Sequence, residues 1–305
     1  MLTEEEIYLK MHNKEVNGRQ YNFFNYKFDE DENLNIKDME LFGIDSLSVS
    51  GKSELINLSI LKKFSYVRGL RLNSHRYTYI DILQEFKDLE YFQILDLCDA
   101  EIPFDKFNKL HSAEVNYDHK TCQLIFNNPS IEFLKIHNYK QKSSADLVRL
   151  KTLKQLTLEQ CKLGNLDFLD QLPLLRCFRI SHNRNLTSIQ GLSRVNDLRK
   201  VEIAYCKKIE DWSSLSQVNK LNAVILEDCG EIDSLAFLES LPDLKLIRVF
   251  GDTIVRDGLL KALLEKESLE YFKITLHKHY DITQDSLKRF GFVNMTDVMK
   301  EIDLY

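Results

Sequence analysis

The chain has 305 residues, of which 44% are apolar and 29% charged, with only four Pro and ten Gly. This composition supplies a continuous core and leaves little material for disordered linkers, so order is expected nearly throughout. The net charge of −6 is spread along the chain, which weighs against nucleic acid as a partner. No basic region precedes an apolar run in the opening MLTEEEIYLK, and no apolar stretch is long enough to span a bilayer; the expectation is a cytoplasmic protein with no membrane contact.

Residues 1–17 read as a capping helix. Thr3 is placed to cap it with Glu6 three positions on, and Leu2 and Ile7 stand where a hydrophobic staple would put them. Gly18 supplies a stop. Tyr21, Phe23, Tyr26 and Phe28 follow with strand-like composition, ending in the acidic run Asp29 to Glu32. Residues 1–43 together are expected to form an N-terminal cap, helix plus aromatic-rich segment.

One pattern then governs the chain, and it is clearest from Leu153 to Ile232. The segments LKQLTLEQCKL, LRCFRISHNRNL, LRKVEIAYCKKI and LNAVILEDCGEI begin at Leu153, Leu175, Leu198 and Leu221, steps of 22 or 23 residues. Apolar residues hold relative positions 1, 4 and 6, and Cys or Asn holds position 9. Followed outward, position 4 falls on Leu47, Leu70, Phe92, Ala113, Leu134, Leu156, Phe178, Val201, Val224, Ile247 and Phe272, about eleven units across residues 44–276. The third unit fits two frames, Leu89, Phe92, Ile94 or Phe92, Leu95, Leu97; even spacing favours the first.

Positions 4 and 6 alternate as a short strand does, and position 9 turns the chain out of the sheet. Between strands the apolar spacing is three, as in Leu166, Leu169, Leu172 and Leu175, which is that of a 3₁₀-like turn facing the core. The whole resembles leucine-rich repeat proteins, in the 22-residue class of bacterial internalins and of the leucine-rich regulator of a phosphatase. The resemblance covers about residues 44–276. It implies an α/β fold: a leucine-rich repeat solenoid, or horseshoe, with a parallel sheet on the concave face, 3₁₀ or short helical segments on the convex face, and helical caps around a single structural domain.

One interval departs from the spacing of three. The segment DGLLKALLEKE carries Leu259, Leu260, Leu263 and Leu264 behind Asp257, which predicts a true helix. Residues 277–305 read as a C-terminal cap, with a helix from Thr283 to Arg289 and an amphipathic stretch around Val298 to Ile302.

Side chains flanking positions 4 and 6 should face the hollow. Between those positions lie Arg71, Glu114, Lys135, Arg179, Glu202 and Arg248; just beyond them lie His137, Glu159, Glu227 and Phe250. Flanking rows add Tyr91, Tyr117, His182, Tyr205 and Tyr271. Mixed charge with aromatic anchors suits a partner-binding surface for another protein, although pairs such as Arg179 and Glu202 are also placed to neutralise one another across strands. Cys161, Cys206 and Cys229 occupy one slot in successive repeats and are expected as buried structural thiols. His277, His279 and Asp281 form a short HxH cluster that reads as a solvated loop. With no phosphate loop, no nucleophile beside a base and no further ligands, the expectation is a monomeric, non-catalytic protein without metal or cofactor. A leucine-rich ligase would need a reactive Cys in a separate domain, and none follows Cys229. The concrete function expected is recognition of a protein through the concave face, as in a bacterial cytosolic inhibitor or immunity protein against a toxin or effector; the alternative is a regulatory or targeting subunit of an enzyme such as a phosphatase.

Overall fold

A computed structural model describes residues 3–28, 30–31, 34–52, 55–73, 76–96, 100–291 and 293–301. The chain divides into two compact units, Met1–Tyr139 and Lys140–Tyr305. Leu2, Asp29, Glu32, Leu97 and Ile302, used in the reading above, lie outside the described residues.

The first unit opens with α1 (Glu4–Lys10), whose capping box is formed: Thr3 Oγ1 accepts from the Glu6 amide at 3.3 Å and the Glu6 carboxylate accepts from the Thr3 amide at 2.7 Å. The helix is shorter than expected. At Met11 the chain becomes extended, and β1 (Met11–Val16) pairs antiparallel with β2 (Arg19–Lys27), Val16 opposite Arg19. The cause is the two-residue turn Asn17-Gly18, with φ of 49° and 77°, the twist that antiparallel hairpins prefer.

β2 is also the first rung of a parallel ladder. α2 (Ile36–Leu41) leads to β3 (Ser46–Ser50), β4 (Ile56–Asn57), β5 (Gly69–Leu72), β6 (Tyr77–Thr78), β7 (Tyr91–Ile94), β8 (Ser112–Asn116), the one-turn α3 (His119–Cys122) and β9 (Phe133–His137). β4 and β6 form a small parallel ribbon of their own. In the ladder Phe24 registers with Leu47, Leu47 with Leu70, Leu70 with Phe92, Phe92 with Ala113 and Ala113 with Leu134. The first frame of the third unit therefore holds, with Leu89, Phe92 and Ile94 all buried.

The other face of this ladder is covered by the chain's own N-terminus. β1 and the start of β2 fold over it: Tyr21 and Phe23 pack against Tyr91, Lys14 Nζ donates to Tyr91 Oη at 3.1 Å, and Asn17 Nδ2 donates to Ser112 Oγ at 2.9 Å. Small residues make the room. A Cβ on Gly69 would lie 2.6 Å from Ser46 Oγ and 3.0 Å from Phe23 Cζ.

The second unit carries β10 (Gln155–Glu159), β11 (Cys177–Ser181), β12 (Lys200–Ala204), β13 (Ala223–Glu227), β14 (Glu231–Ile232), β15 (Leu246–Phe250), β16 (Ile254–Val255) and β17 (Tyr271–Ile274). Leu156, Phe178, Val201, Val224, Ile247 and Phe272 stand in register across its ladder, while β14 and β16 pair separately. The spacing of three is read out as short 3₁₀ helices, Asp167–Gln171, Gln190–Arg194 and Ser213–Gln217, with Leu166, Leu169, Leu172 and Leu175 buried.

The expected helix near Leu259 is one turn, α4 (Lys261–Leu264), and Leu259 is exposed. Asp281 starts it, its Oδ1 accepting from the amides of Leu260 and Lys261, whereas Asp257 accepts only from Leu259. The expected helix from Thr283 is a 3₁₀ helix, Asp285–Phe290, packed on β17 through Phe290 and Phe272. The last helix, α5 (Met295–Glu301), does more than cap an end. Its Val298 and Met299 are buried with Cys177, Ala223, Ile225 and Leu246, which lie on β11, β13 and β15 on the face turned away from the repeat core.

Leu226 is fully buried in the second core, so Leu226→Ala should lower unfolding free energy by roughly 2–5 kcal/mol; an unchanged denaturation midpoint would contradict the register. Gly69→Val should displace the β1–β2 hairpin and destabilise by about 1–3 kcal/mol. Amide hydrogen exchange would show this as faster exchange in Met11–Val16 than in β7–β9, and unaltered protection of β1 would contradict the close approach.

Candidate functional site

In the first unit the sheet face is largely satisfied from within. Arg71 Nε donates to Gln93 Oε1 at 2.5 Å, and its guanidinium lies 5.8 Å from the Phe23 ring centre. Glu114 accepts from His137 Nε2 at 2.9 Å and pairs with Lys135 Nζ at 3.2 Å. Two residues expected on the open surface are not there. Tyr91 is 2% exposed beneath the hairpin, and Tyr117 is 7% exposed, packed against Phe126 and Tyr139. Tyr91 was hidden by a segment distant in sequence. Tyr117 lies just past the end of β8, where the chain turns its ring inward.

The second unit repeats this economy. Arg179 Nε lies 3.3 Å from Glu202 Oε1, and Lys200 adds a second cation to Glu202 at 3.7 Å. Arg248 stacks over Phe250, 4.0 Å from its ring centre, and Phe250 and Tyr271 pack against the α5 cluster. Glu159 is half-buried at the end of β10.

The rim where the strands end is open to solvent at Gln160, His182 and Tyr205. The residues following β10, β11, β12 and β13 are Gln160, His182, Tyr205 and Asp228, at φ of 55°, 54°, 55° and 48°. Each gives its amide to the last carbonyl of the next strand: Gln160 to Ser181, His182 to Ala204, Tyr205 to Glu227 and Asp228 to Phe250, at 2.9, 3.0, 2.8 and 3.2 Å. The left-handed turn drives the following residue inward, so Cys161, Asn183, Cys206 and Cys229 are buried. Asn183 Nδ2 donates to the Leu163 carbonyl at 2.8 Å; Cys206 and Cys229 have carbonyls within 3.4 Å of Sγ. Burial pushes the Cys161 and Cys229 thiols up to about 12 and that of Cys206 to about 11, keeping them neutral.

The same turn throws its own side chain outward. His182 and Tyr205 stack with ring centres 4.2 Å apart and planes 15° apart, and Tyr205 Oη donates to Glu227 Oε1 at 3.2 Å. Beside them opens a pocket of about 610 Å³, lined by Gln160, His182, Arg184, Tyr205, Lys207 and Lys208. Of these, sequence reasoning named only His182 and Tyr205. The missed signal is a column two residues past each left-handed turn, where Lys162, Arg184 and Lys207 are basic and Gly230 ends the run. Among the described residues, Lys162, Arg184 and Lys208 have no side-chain hydrogen bond or ion pair, while Lys207 lies 3.6 Å from the exposed Asp252.

The HxH segment is built into a turn. His279 Nε2 donates to the Val255 carbonyl at 2.8 Å, Tyr280 Oη accepts from the Val255 amide at 3.0 Å, and His277 packs edge-on against Tyr280. Among the described residues no group of three or more His, Cys, Asp or Glu converges as metal ligands would.

These parallel ladders, 3₁₀ backs and buried position-9 turns are the architecture of a leucine-rich repeat protein. No family model and no curated protein matches the chain. Solved structures do: an internalin of Listeria monocytogenes is 16% identical over 83% of this chain and 80% of its own, with a TM-score of 0.56. A chain of the mouse RP105/MD-1 complex is 18% identical over 82% of this chain, with a TM-score of 0.61, and this chain spans 46% of its length. The likeness is one of fold.

Charge ties the N-terminal hairpin down. Burial alone would raise the Glu90 carboxyl, but hydrogen bonds from Arg68 and Arg19 outweigh it and hold the group below the ordinary value; His137 and Lys135 do the same for Glu114. A folded-state value below the unfolded one stabilises above the ordinary carboxylate range, and the gain disappears as pH falls through the depressed value. Stability of the first unit should therefore decline as pH falls through and below the ordinary carboxylate range, and Glu90→Gln should flatten that decline in urea titrations. A slope that Glu90→Gln leaves unchanged would remove Glu90 from the account.

Proposed function

We propose that this chain is a non-catalytic protein-recognition module whose contact surface is the rim of the second unit. The observation that carries the reading is the His182–Tyr205 stack. Two bulky non-glycine residues are held at positive φ and aligned at 4.2 Å beside an open pocket, a backbone state that costs on the order of 1 kcal/mol or more per residue. The turn itself serves the repeat by seating Asn183 and Cys206 in the core, but it leaves the outward side chain without a core role, and Tyr205 is 39% exposed. An exposed Tyr beside an exposed Arg is the composition of an interface anchor.

Part of the sheet face first expected to bind is covered in each unit, by the chain's own hairpin over Tyr91 and Ser112 and by α5 over Cys177, Ala223, Ile225 and Leu246, which moves the reading from the hollow to the rim. In its fuller form the reading is a cytoplasmic inhibitor that covers a working surface of a toxin or effector. The pocket-lining residues can hold and occlude, and they include no Ser, Thr, Cys, Asp or Glu.

A photo-crosslinking amino acid at position 205 tests the rim directly in the native cell. One protein adduct should form there, and none from the same amino acid at Leu174, which is 48% exposed on a connecting segment. Adducts at 174 and none at 205 would overturn the placement.

A further inference from the structure

The free cations of the rim point to a particular kind of partner. In the second unit several charged side chains on the strands and on the segments leading into them have found mates: Arg176 with Asp197, Arg179 with Glu202, Lys220 with Asp197 and Lys245 with Glu270. The column formed by Lys162, Arg184 and Lys207, with Lys208 beside it, is different. Three of its four members have no partner among the described residues, and the contact of Lys207 with Asp252 joins two exposed side chains, a pair of little worth.

We propose that this column and the adjoining His182–Tyr205 platform bind an acidic, extended segment of a partner protein. The inference rests on the rim being the recognition surface. Geometry argues for a chain over a point anion. Lys162, Arg184 and Lys207 come from three consecutive repeats, whose strands are spaced by about 4.8 Å each, so the cations form a line and do not converge on one centre. A single phosphate would reach one or two of them; carboxylates along an extended peptide reach all. The line is also short and bounded. Beyond Lys207 the column reaches Gly230, and Glu227, Asp228 and Asp252 stand at that end. Those carboxylates would repel a continuing phosphate backbone, and the chain as a whole is at −6, so a peptide whose acidic run ends there fits better than a nucleic acid. The flat face of Tyr205 stacked on His182 offers apolar area for one aromatic or aliphatic side chain flanking the acidic run.

The test uses the full chain and a fluorescein-labelled peptide of about a dozen residues, alternating glutamate and serine with one tyrosine, followed by anisotropy. Binding should weaken steeply as salt is raised from low to physiological strength. It should fall about tenfold or more in Arg184→Glu combined with Lys207→Glu, and stay unchanged in Lys87→Glu, an exposed control in the first unit. Thermal melts of the double variant should match the parent, since both side chains are exposed. Absence of peptide binding at low salt, equal loss in the control, or tighter binding of a single-stranded oligonucleotide of the same length would each overturn the proposal. Inorganic phosphate competing at equal charge concentration would reduce the site to one for point anions. Crosslinking at position 205 separates this inference from the one beneath it. Adducts that persist in the Arg184→Glu, Lys207→Glu background leave rim recognition standing while the acidic class fails; adducts lost from both remove the rim.

Discussion

The constraint on which the second unit depends is the left-handed turn that ends each of its first four ladder strands. It places one amide on the next strand's final carbonyl, sends one side chain inward to close the core, and sends another out to the rim. Because the turn recurs at the repeat spacing, all three consequences line up as columns. Cys161, Asn183, Cys206 and Cys229 are interchangeable only because each is small enough for the slot and can meet a carbonyl there. Gln160, His182 and Tyr205 differ in kind because their side chains face solvent, whereas the half-buried Asp228 accepts from the Asp252 amide. In the first unit Asn138 makes the same turn after β9, at φ of 58°.

The repeat core was legible because it follows local periodicity. Position 4 from Leu47 to Leu134, and again from Leu156 to Phe272, falls in register wherever the ladder is described. Local signals in conflict were harder. Thr3 and Glu6 do form a capping box, and extending that helix to residue 17 overrode the Asn17-Gly18 turn, which is the stronger signal for a hairpin. At the other end Asp257 looked like a helix cap, but the cap came from Asp281, a residue distant in sequence that no window around Leu259 contains.

What could not be read locally is which distant segment lies against which face. Ile225 is an apolar residue in a row otherwise polar, and Cys177, Ala223 and Leu246 in the neighbouring row complete the patch. No residue near them in sequence points to Val298 and Met299 as their cover. Phe23 and Tyr91 tell the same story in the first unit, where Gly69 and Ser46 leave the space that the ring enters. The site followed suit. Arg179 and Glu202 were readable as a row, and so was their capacity to pair; Arg184 and Lys207 lie just past position 9, where the apolar pattern sets no side chain's direction.

That division between paired and unpaired charge decides where a partner gains most. Drawing Arg179 away from Glu202 leaves a half-buried carboxylate to be satisfied again, so a contact there begins with a loss. Arg184 and Lys208 give up only water, and Lys207 little more than water. The covered stretches of sheet add a second asymmetry, because a partner reaching them must first displace the β1–β2 hairpin or α5 and expose the apolar surface each now covers. The rim asks for neither, so an edge that carries unpaired cations beside an ordered aromatic stack is where association begins with the least to undo.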